Sequence, residues 1–380
     1  MMTLPVLIRR EPVVNRQKAI TATRLVVLAA EAANVADTLT ALADVWPKSR
    51  TVLLSLGGVS PHMDLLDWLI PENTMIEIPA PALADPGTQA LLAELSRGGV
   101  SLCLDGYSPA MKLPPQLQFR FLLADANAYP KLASAPGLTI AKGLDNNAEF
   151  GAAVQHGYSG ATGWFFLRGI KPSGKLTPSH AQLIQVLNLV RHNADMREIE
   201  NALKRDVTLS FKLLRYINSA GFGLSCEIHS FRHAVSILGY DKLNKWLSLL
   251  LVTASKDPGA TALMQTAIAR GRFMEIVGAA FFGREQTDNL FITGAFSLLD
   301  LLLGAGLAEA LEQMHLPEDI SDAIIRHEGI YAPFLDLAIA CESASVDDLM
   351  VKAEALQLTP ERFNRAQLEA LTFADSLQFG

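Results

Sequence analysis

Apolar runs of four to six residues recur along residues 51–166 and then stop, and this change of period constrains the chain more than any other feature. The runs 51–56, 74–78, 100–104, 119–123, 138–141 and 163–166 are short and rich in aliphatic and aromatic residues, as buried strands are. Segment 88–97 between them has helical spacing. Strands alternating with helical or loop segments predict a parallel βα architecture. Upstream, 6–9 and 20–28 predict a hairpin and 31–45 a helix. Pro172, Gly174 and Pro178 mark 169–177 as a linker.

Beyond the linker the period becomes helical. Asp241 can cap a helix over 241–253, in which Leu243, Trp246, Leu247, Leu250 and Leu251 share one face. Helices are predicted at 196–204, at 209–218, and at 231–238, the last with Ser230 as cap and Gly239 as stop. Further helices are expected at 260–282, 288–303, 306–314, 318–327, 331–341, 346–356 and 359–374. The fold class is therefore α/β followed by all-α. The stretch 290–311 is apolar enough to suggest a membrane span, but Asp300, Glu309, Gly294, Gly304 and Gly306 interrupt it, and a buried helix pair is the expectation.

Hydrophobic residues make up 50% of the 380 residues, enough to fill a core in each of two or three domains. Cys103, Cys226 and Cys341 lie far apart with no C-x-x-C pair, so neither a disulfide framework nor a thiolate zinc site is expected, and a reducing cytoplasm fits. The apolar start of the chain ends at Arg9, too soon for a secretory signal. Residues 1–175 hold 15 Lys and Arg against 14 Asp and Glu, and the remainder holds 17 against 25, so the second half carries −8 of the net −7. An acidic half repels phosphate backbones. No nucleic-acid partner and no membrane insertion are expected, and Lys204, Arg205, Lys212 and Arg215 read as a solvated helix face.

Metal-dependent helical phosphohydrolases need imidazoles and carboxylates converging from several helices, including an adjacent His-Asp pair. No His-Asp dipeptide occurs, and His180, His192, His229, His233, His315 and His327 are scattered. His229 and His233 have a zinc-compatible spacing, but Ser230 starts a helix between them and no third ligand is evident. Neither Cys226 nor Cys341 has a nearby cation to stabilise a thiolate. No nucleophile elbow, P-loop or dinucleotide fingerprint is present. No catalytic residue, metal or cofactor is expected in the helical half, which reads as a protein-contacting module.

The residues that stand out are Leu213-Leu214-Arg215-Tyr216-Ile217-Asn218-Ser219-Ala220, then Phe222-Gly223-Leu224, then Ile228 through Gly239. This run resembles the HDOD domain of bacterial signalling proteins, an HD-related helical fold without the metal ligands, over about residues 180–370. The resemblance implies a role in organising protein contacts, with Asn218, Ser219, Phe222, Gly223 and Gly239 in structural or interaction roles. Asn218 is expected to end a helix and bond backbone across the turn.

A βα barrel ahead of an HDOD domain is similar to the bacterial EAL–HDOD signalling proteins (the YuxH-like family), whose EAL barrel is the cyclic-di-GMP phosphodiesterase fold. That chemistry implies two metals held by carboxylates and an Asn at strand ends, with a Lys nearby. Here Arg24-Leu25-Val26 stands where Glu-Ala-Leu is expected and Ser55 where the Asn is expected. Glu77 is retained, the paired aspartates become Asp105-Gly106, and Lys-x-Asp becomes Leu123-Ala124-Asp125. Lys142 replaces a catalytic Glu, and Thr162-Gly163 replaces Gln-Gly. The segment 125–140 is short for a barrel helix, so an abridged, degenerate barrel is expected. The resulting expectations are a barrel over 1–170, a linker over 171–179 and a helical HDOD domain over 180–380. Glu77, Asp105 and Asp125 remain as a remnant site, and Arg97 and Arg168 are the candidate phosphate contacts. The function expected is a non-enzymatic cytoplasmic signalling scaffold with a protein partner, inactive as a phosphodiesterase. The alternative is a sensor that binds cyclic di-GMP without cutting it.

Overall fold

The structure is a computed structural model that describes residues 6–28, 35–57, 68–132, 135–169, 172, 174–204, 228, 230–253, 260–343 and 345–377. The chain divides into two compact units. In the first, eight strands close into a barrel in sequence order: β1 (Leu7–Asn15), β2 (Ile20–Leu28), β3 (Thr51–Ser55), β4 (Thr74–Pro79), β5 (Ser101–Asp105), β6 (Phe119–Asp125), β7 (Leu138–Lys142) and β8 (Gly160–Thr162). β1 runs antiparallel to both of its neighbours, and every other pairing is parallel. Closure leaves no edge strand exposed.

The sequence places five of these strands within a residue or two, and it predicts the hairpin, with β2 at its expected bounds and β1 running six residues beyond the expected end at Arg9. The strand expected at 163–166 is displaced: β8 ends at Thr162, and Phe165–Leu167 is a 3-10 turn. The aromatic run there reflects burial rather than strand pairing, since Phe165 stacks on Phe150 of α3 (Asn147–Gln155) with ring centroids 4.8 Å apart. The strand ring is complete, and the abridgement lies in the connections. Helices α1 (Val35–Ala41) and α2 (Pro86–Arg97) follow β2 and β4, whereas 106–118 and, among its described residues, 126–137 carry no helix. Asp85 starts α2 by accepting a hydrogen bond from the Thr88 amide, and Pro86 occupies the first turn, where no intrahelical donor is needed.

Residues 341–343 and 358–368 also belong to the barrel unit. The second of these segments supplies a buried amide, Asn364, whose Oδ1 accepts from the Ile8 amide at 2.8 Å and whose Nδ2 donates to the Val6 carbonyl at 2.9 Å. Gln367 donates to the Ile8 carbonyl at 3.1 Å. These side chains satisfy backbone groups at the start of β1 that would otherwise be buried unpaired.

The helical unit contains α4 (Pro178–Arg191), α5 (Met196–Lys204), α6 (Phe231–Val252), α7 (Thr261–Gly278), α8 (Arg284–Phe296), α9 (Leu299–Leu303), α10 (Leu307–Glu312), α11 (Glu318–Ile325), α12 (Ala332–Ala340) and α13 (Val346–Ala355). A last helix, α14 (Pro360–Ser376), contributes residues 369–376 to this unit. α4 is absent from the sequence-based expectation although Thr177 caps it and Pro178 opens it. The helix expected at 209–218 lies outside the described residues. The one expected at 288–303 is two helices, α8 and α9, broken at Ser297 and Leu298. Gly294 of α8 abuts Gly271 of α7 so closely that a Cβ on Gly294 would lie 2.7 Å from the Gly271 Cα, which is why this apolar stretch keeps a small residue. Among the described residues no helix is long and apolar enough to cross a membrane.

Ser230 caps α6 as expected, accepting from the His233 amide at 3.1 Å. Gly239 interrupts α6 with φ 75° and ψ 172°, so two helical segments meet there at a kink. An added Cβ would meet nothing within 4 Å, which leaves backbone strain as the whole cost of a side chain. Gly239→Ala is predicted to lower stability by about 1–3 kcal/mol in denaturant unfolding. Asn364→Ala, which strands two backbone groups of β1, is predicted to cost about 1–3 kcal/mol and to raise amide exchange at Ile8.

Candidate functional site

One layer of the barrel interior is apolar: Val13, Ala22, Leu53, Met75, Cys103, Leu123 and Ile140 form a buried cluster. Side chains two residues apart on a strand share a face. Two residues further along, strands β2 to β7 each therefore set another side chain on the same face. These are Arg24, Ser55, Glu77, Asp105, Asp125 and Lys142, and stepping back by two on antiparallel β1 gives Glu11. All seven lie toward the carboxyl ends of the parallel strands, where βα barrels place their chemistry.

Arg24 organises this layer. Its Nε and Nη2 donate to the two carboxylate oxygens of Glu77, both at 2.6 Å, and its Nη1 donates to Glu11 at 2.8 Å. Nη2 also lies 3.6 Å from Asp105 and 3.5 Å from the Ser55 hydroxyl. Arg24, Glu77 and Ser55 are buried. Lys142 donates to both Asp105 oxygens, at 2.6 and 2.8 Å, and Arg9 pairs with Glu11 at 2.8 Å. Arg9, Arg24 and Lys142 thus balance Glu11, Glu77 and Asp105 charge for charge. Burial pulls the Arg24 guanidinium down, but Glu77 and Glu11 outweigh it and hold it above its ordinary value. Burial likewise pushes Glu11 up, and Arg24 and Arg9 outweigh that, leaving its carboxyl below the usual range. In the layer beneath, burial and then the Glu77 charge push the Cys103 thiol well above its ordinary value, so it is no nucleophile.

Of the sequence-predicted remnant, Glu77 and Asp105 come together through Arg24. Asp125 does not join them: its exposed side chain accepts from the Asn127 amide at 2.9 Å. Glu11 is the carboxylate that the sequence reading missed. The expected first strand ended at Arg9, whereas β1 continues through Pro12, and the hairpin register sets Glu11 opposite Arg24. Arg168 sits after β8 with a guanidinium nitrogen 3.6 Å from exposed Asp145, both beyond the carboxyl ends of the strands. Arg97 ends α2, which leads back to the start of β5, and so lies at the other end of the barrel. Asn218, Ser219, Phe222 and Gly223 lie outside the described residues.

A two-metal centre does not fit this donor set. The guanidinium fork takes one lone pair of each Glu77 oxygen, Lys142 takes both Asp105 oxygens, and a divalent ion would add charge to a cluster already balanced. Among the described residues no group of three or more His, Cys, Asp and Glu is arranged to hold a metal ion.

Residues 176–316 match the HDOD domain family, and the helical unit carries an HDOD domain. The chain is 28% identical over 302 residues to the cyclic di-GMP phosphodiesterase CdgJ of Vibrio cholerae, covering 75% of this chain and 70% of that one. It is 26% identical over 243 residues to the uncharacterized protein YuxH of Bacillus subtilis, covering 63% of this chain and 59% of that one. Among solved structures, the manganese/cy-diGMP complex of Klebsiella pneumoniae BlrP1 aligns with a TM-score of 0.35 at 13% identity, covering 44% of this chain and 56% of that one. A putative phosphohydrolase from Shewanella amazonensis aligns with a TM-score of 0.39 at 14% identity, covering 55% of this chain and 95% of that one. The expected EAL–HDOD resemblance is met by the eight-stranded barrel, the HDOD domain and the likeness to CdgJ and YuxH. The expectation that the chain is not an enzyme is corrected: a relative alike over three quarters of this chain is named a phosphodiesterase, and altered strand-end motifs alone do not exclude activity.

Arg24→Met, which leaves Glu77 buried without its partner, is predicted to destabilise the protein by about 3–5 kcal/mol in denaturant unfolding, and adding Glu77→Leu is predicted to recover part of that loss. Because the folded-state pKa of Glu11 is depressed, its contribution to stability is present above the ordinary carboxylate value and lost as pH falls through the lowered one. Unfolding followed from neutral to acid pH should therefore steepen in that window, and Glu11→Gln should flatten it.

Proposed function

We propose that this chain is a cytoplasmic signal-transduction protein of a cyclic-di-GMP circuit that acts through protein contacts made by its HDOD unit. The observation that carries this reading is Arg24: the barrel's strand-end carboxylates are bonded to the chain's own cations, so that end is ordered without an added ion. The HDOD domain is associated with signalling, which supports the protein-contact reading. The two described cysteines, Cys103 and Cys341, are buried and not joined in a disulfide, in keeping with a reducing compartment.

A second reading is a nucleotide sensor whose barrel mouth takes cyclic di-GMP. The likeness to CdgJ supports it, as does Arg168, a half-exposed cation beyond the carboxyl ends of the strands. Among the described residues it pairs with Asp145, itself exposed and 3.6 Å away, a weak pair that a phosphate would displace at little cost.

In-cell cross-linking in the native host is expected to recover a reproducible partner with links mapping to residues 176–316, and repeated absence of any such link would overturn the protein-contact reading. Calorimetric titration with cyclic di-GMP, with and without magnesium and with product analysis, tests the second. The sensor reading predicts saturable binding of equal affinity in both arms and weaker binding by Arg168→Ala, and no saturation in either arm would overturn it.

A further inference from the structure

An aromatic cluster reaches the surface of the helical unit where α7 gives way to α8. Phe281 is 48% exposed, yet its ring stands edge-on to the buried Phe334 of α12, with centroids 5.5 Å apart. Phe282 bridges the same cluster, 5.5 Å from Phe334 and 5.8 Å from the buried Tyr331. Ile330, 44% exposed, directly precedes Tyr331, and exposed Pro333 precedes Phe334. Single exposed apolar residues are ordinary, but residues that flank one ring cluster form a face.

The backbone holds Ile330 in place through a tied turn. After α11 the amides of Arg326 and Glu328 both donate to the Asp322 carbonyl, at 2.9 and 3.3 Å, and the Ala332 amide donates to the Gly329 carbonyl at 3.4 Å. His327 Nδ1 lies 2.6 Å from Asp336. His327 and Gly329 take φ of 56° and 84°, a conformation unfavourable for a residue with a Cβ. A preset apolar side chain binds without first having to be ordered. Around this face the charge is mostly negative. Burial raises the Tyr331 hydroxyl above its ordinary value, and the charges of Asp319 and Glu285 add to that, which sets both carboxylates near the cluster. Glu328 and Glu318 stand near Arg326, whose guanidinium is held by Asp322. The other cation is Arg284, at the start of α8. Glu285, Glu318, Asp319 and Glu328 are exposed and form no ion pair among the described residues.

We propose, resting on the protein-contact reading above, that this face docks an amphipathic helix of a partner protein, aliphatic on one side and lined with Lys or Arg along its borders. The aliphatic side chains cover Phe281 and Ile330, and the cations meet Glu285, Asp319 and Glu328. The face is made of helices and turns and offers no strand edge, so the partner must satisfy its own backbone groups, as a helix does. Charge disfavours the other occupants. Nucleic-acid phosphates and anionic lipid headgroups are repelled by the carboxylates. A second copy related by a two-fold axis would bring two acidic rims together.

The test is fluorescence anisotropy of the full chain with a labelled helical peptide of about 18 residues, Leu on one face and Lys on its borders, and with the same peptide carrying Glu for Lys. The Lys peptide is expected to bind with a Kd of about 0.1 mM or tighter, and the Glu peptide at least about tenfold more weakly. Phe281→Ser combined with Ile330→Ser, both at exposed positions, should weaken the Lys peptide at least about tenfold. Asp319→Asn with Glu328→Gln should weaken it several-fold, and Leu138→Ser, at an exposed apolar residue of the barrel unit, should leave it unchanged. No binding of the Lys peptide, equal binding of both peptides, or undiminished binding by the Phe281 and Ile330 double variant would overturn the proposal, as would self-association of the wild-type chain that the double variant abolishes. In-cell cross-linking of the wild-type chain and the double variant separates this surface from the wider reading. Loss of the partner from the variant supports the site, a partner held equally by both overturns the site and leaves the protein-contact reading standing, and recovery of no partner overturns both.

Discussion

The barrel's chemistry turns on one buried ion pair. Arg24 enters the interior layer above the apolar core, where an isolated charge would be expensive, and is stabilised there because Glu77 meets it with both oxygens and Glu11 takes a third donor. Once Arg24 is fixed, Asp105 is drawn toward the same guanidinium and is neutralised by Lys142. The strand ends therefore carry a closed set of charges, and the ring that a two-metal site would need is spent on internal bonds.

The helical unit treats the same side chain differently. The guanidinium of Arg191 is held by a neutral amide and a carbonyl, and burial without a compensating charge pulls it below its ordinary value. One arginine is saturated by carboxylates and the other is not.

Much of this was legible from residue order alone. Strand spacing reveals the barrel because a buried parallel strand must be a short apolar run, and the period-two offset from Met75 to Glu77 or from Cys103 to Asp105 puts charges one layer above the core. Glu11 was hidden because Arg10, Glu11 and Pro12 look like the end of a strand, and only the hairpin register shows that β1 continues. The run 163–166 misled for a related reason: Phe165 and Phe166 are apolar because they are buried, and burial does not specify a strand. The setting of Arg191 was beyond sequence reasoning, since it depends on Asn244 and Met314 arriving from distant parts of the chain.

The central claim is that Arg24 and Lys142 occupy the electrostatic place of metal ions at the barrel's strand ends. Crystals of the protein soaked in manganese and measured for anomalous scattering test it most directly. The account predicts no manganese peak among Glu11, Glu77 and Asp105, with the Arg24 fork still on both Glu77 oxygens. Peaks between Glu77 and Asp105, with Arg24 swung out of the layer, would contradict it.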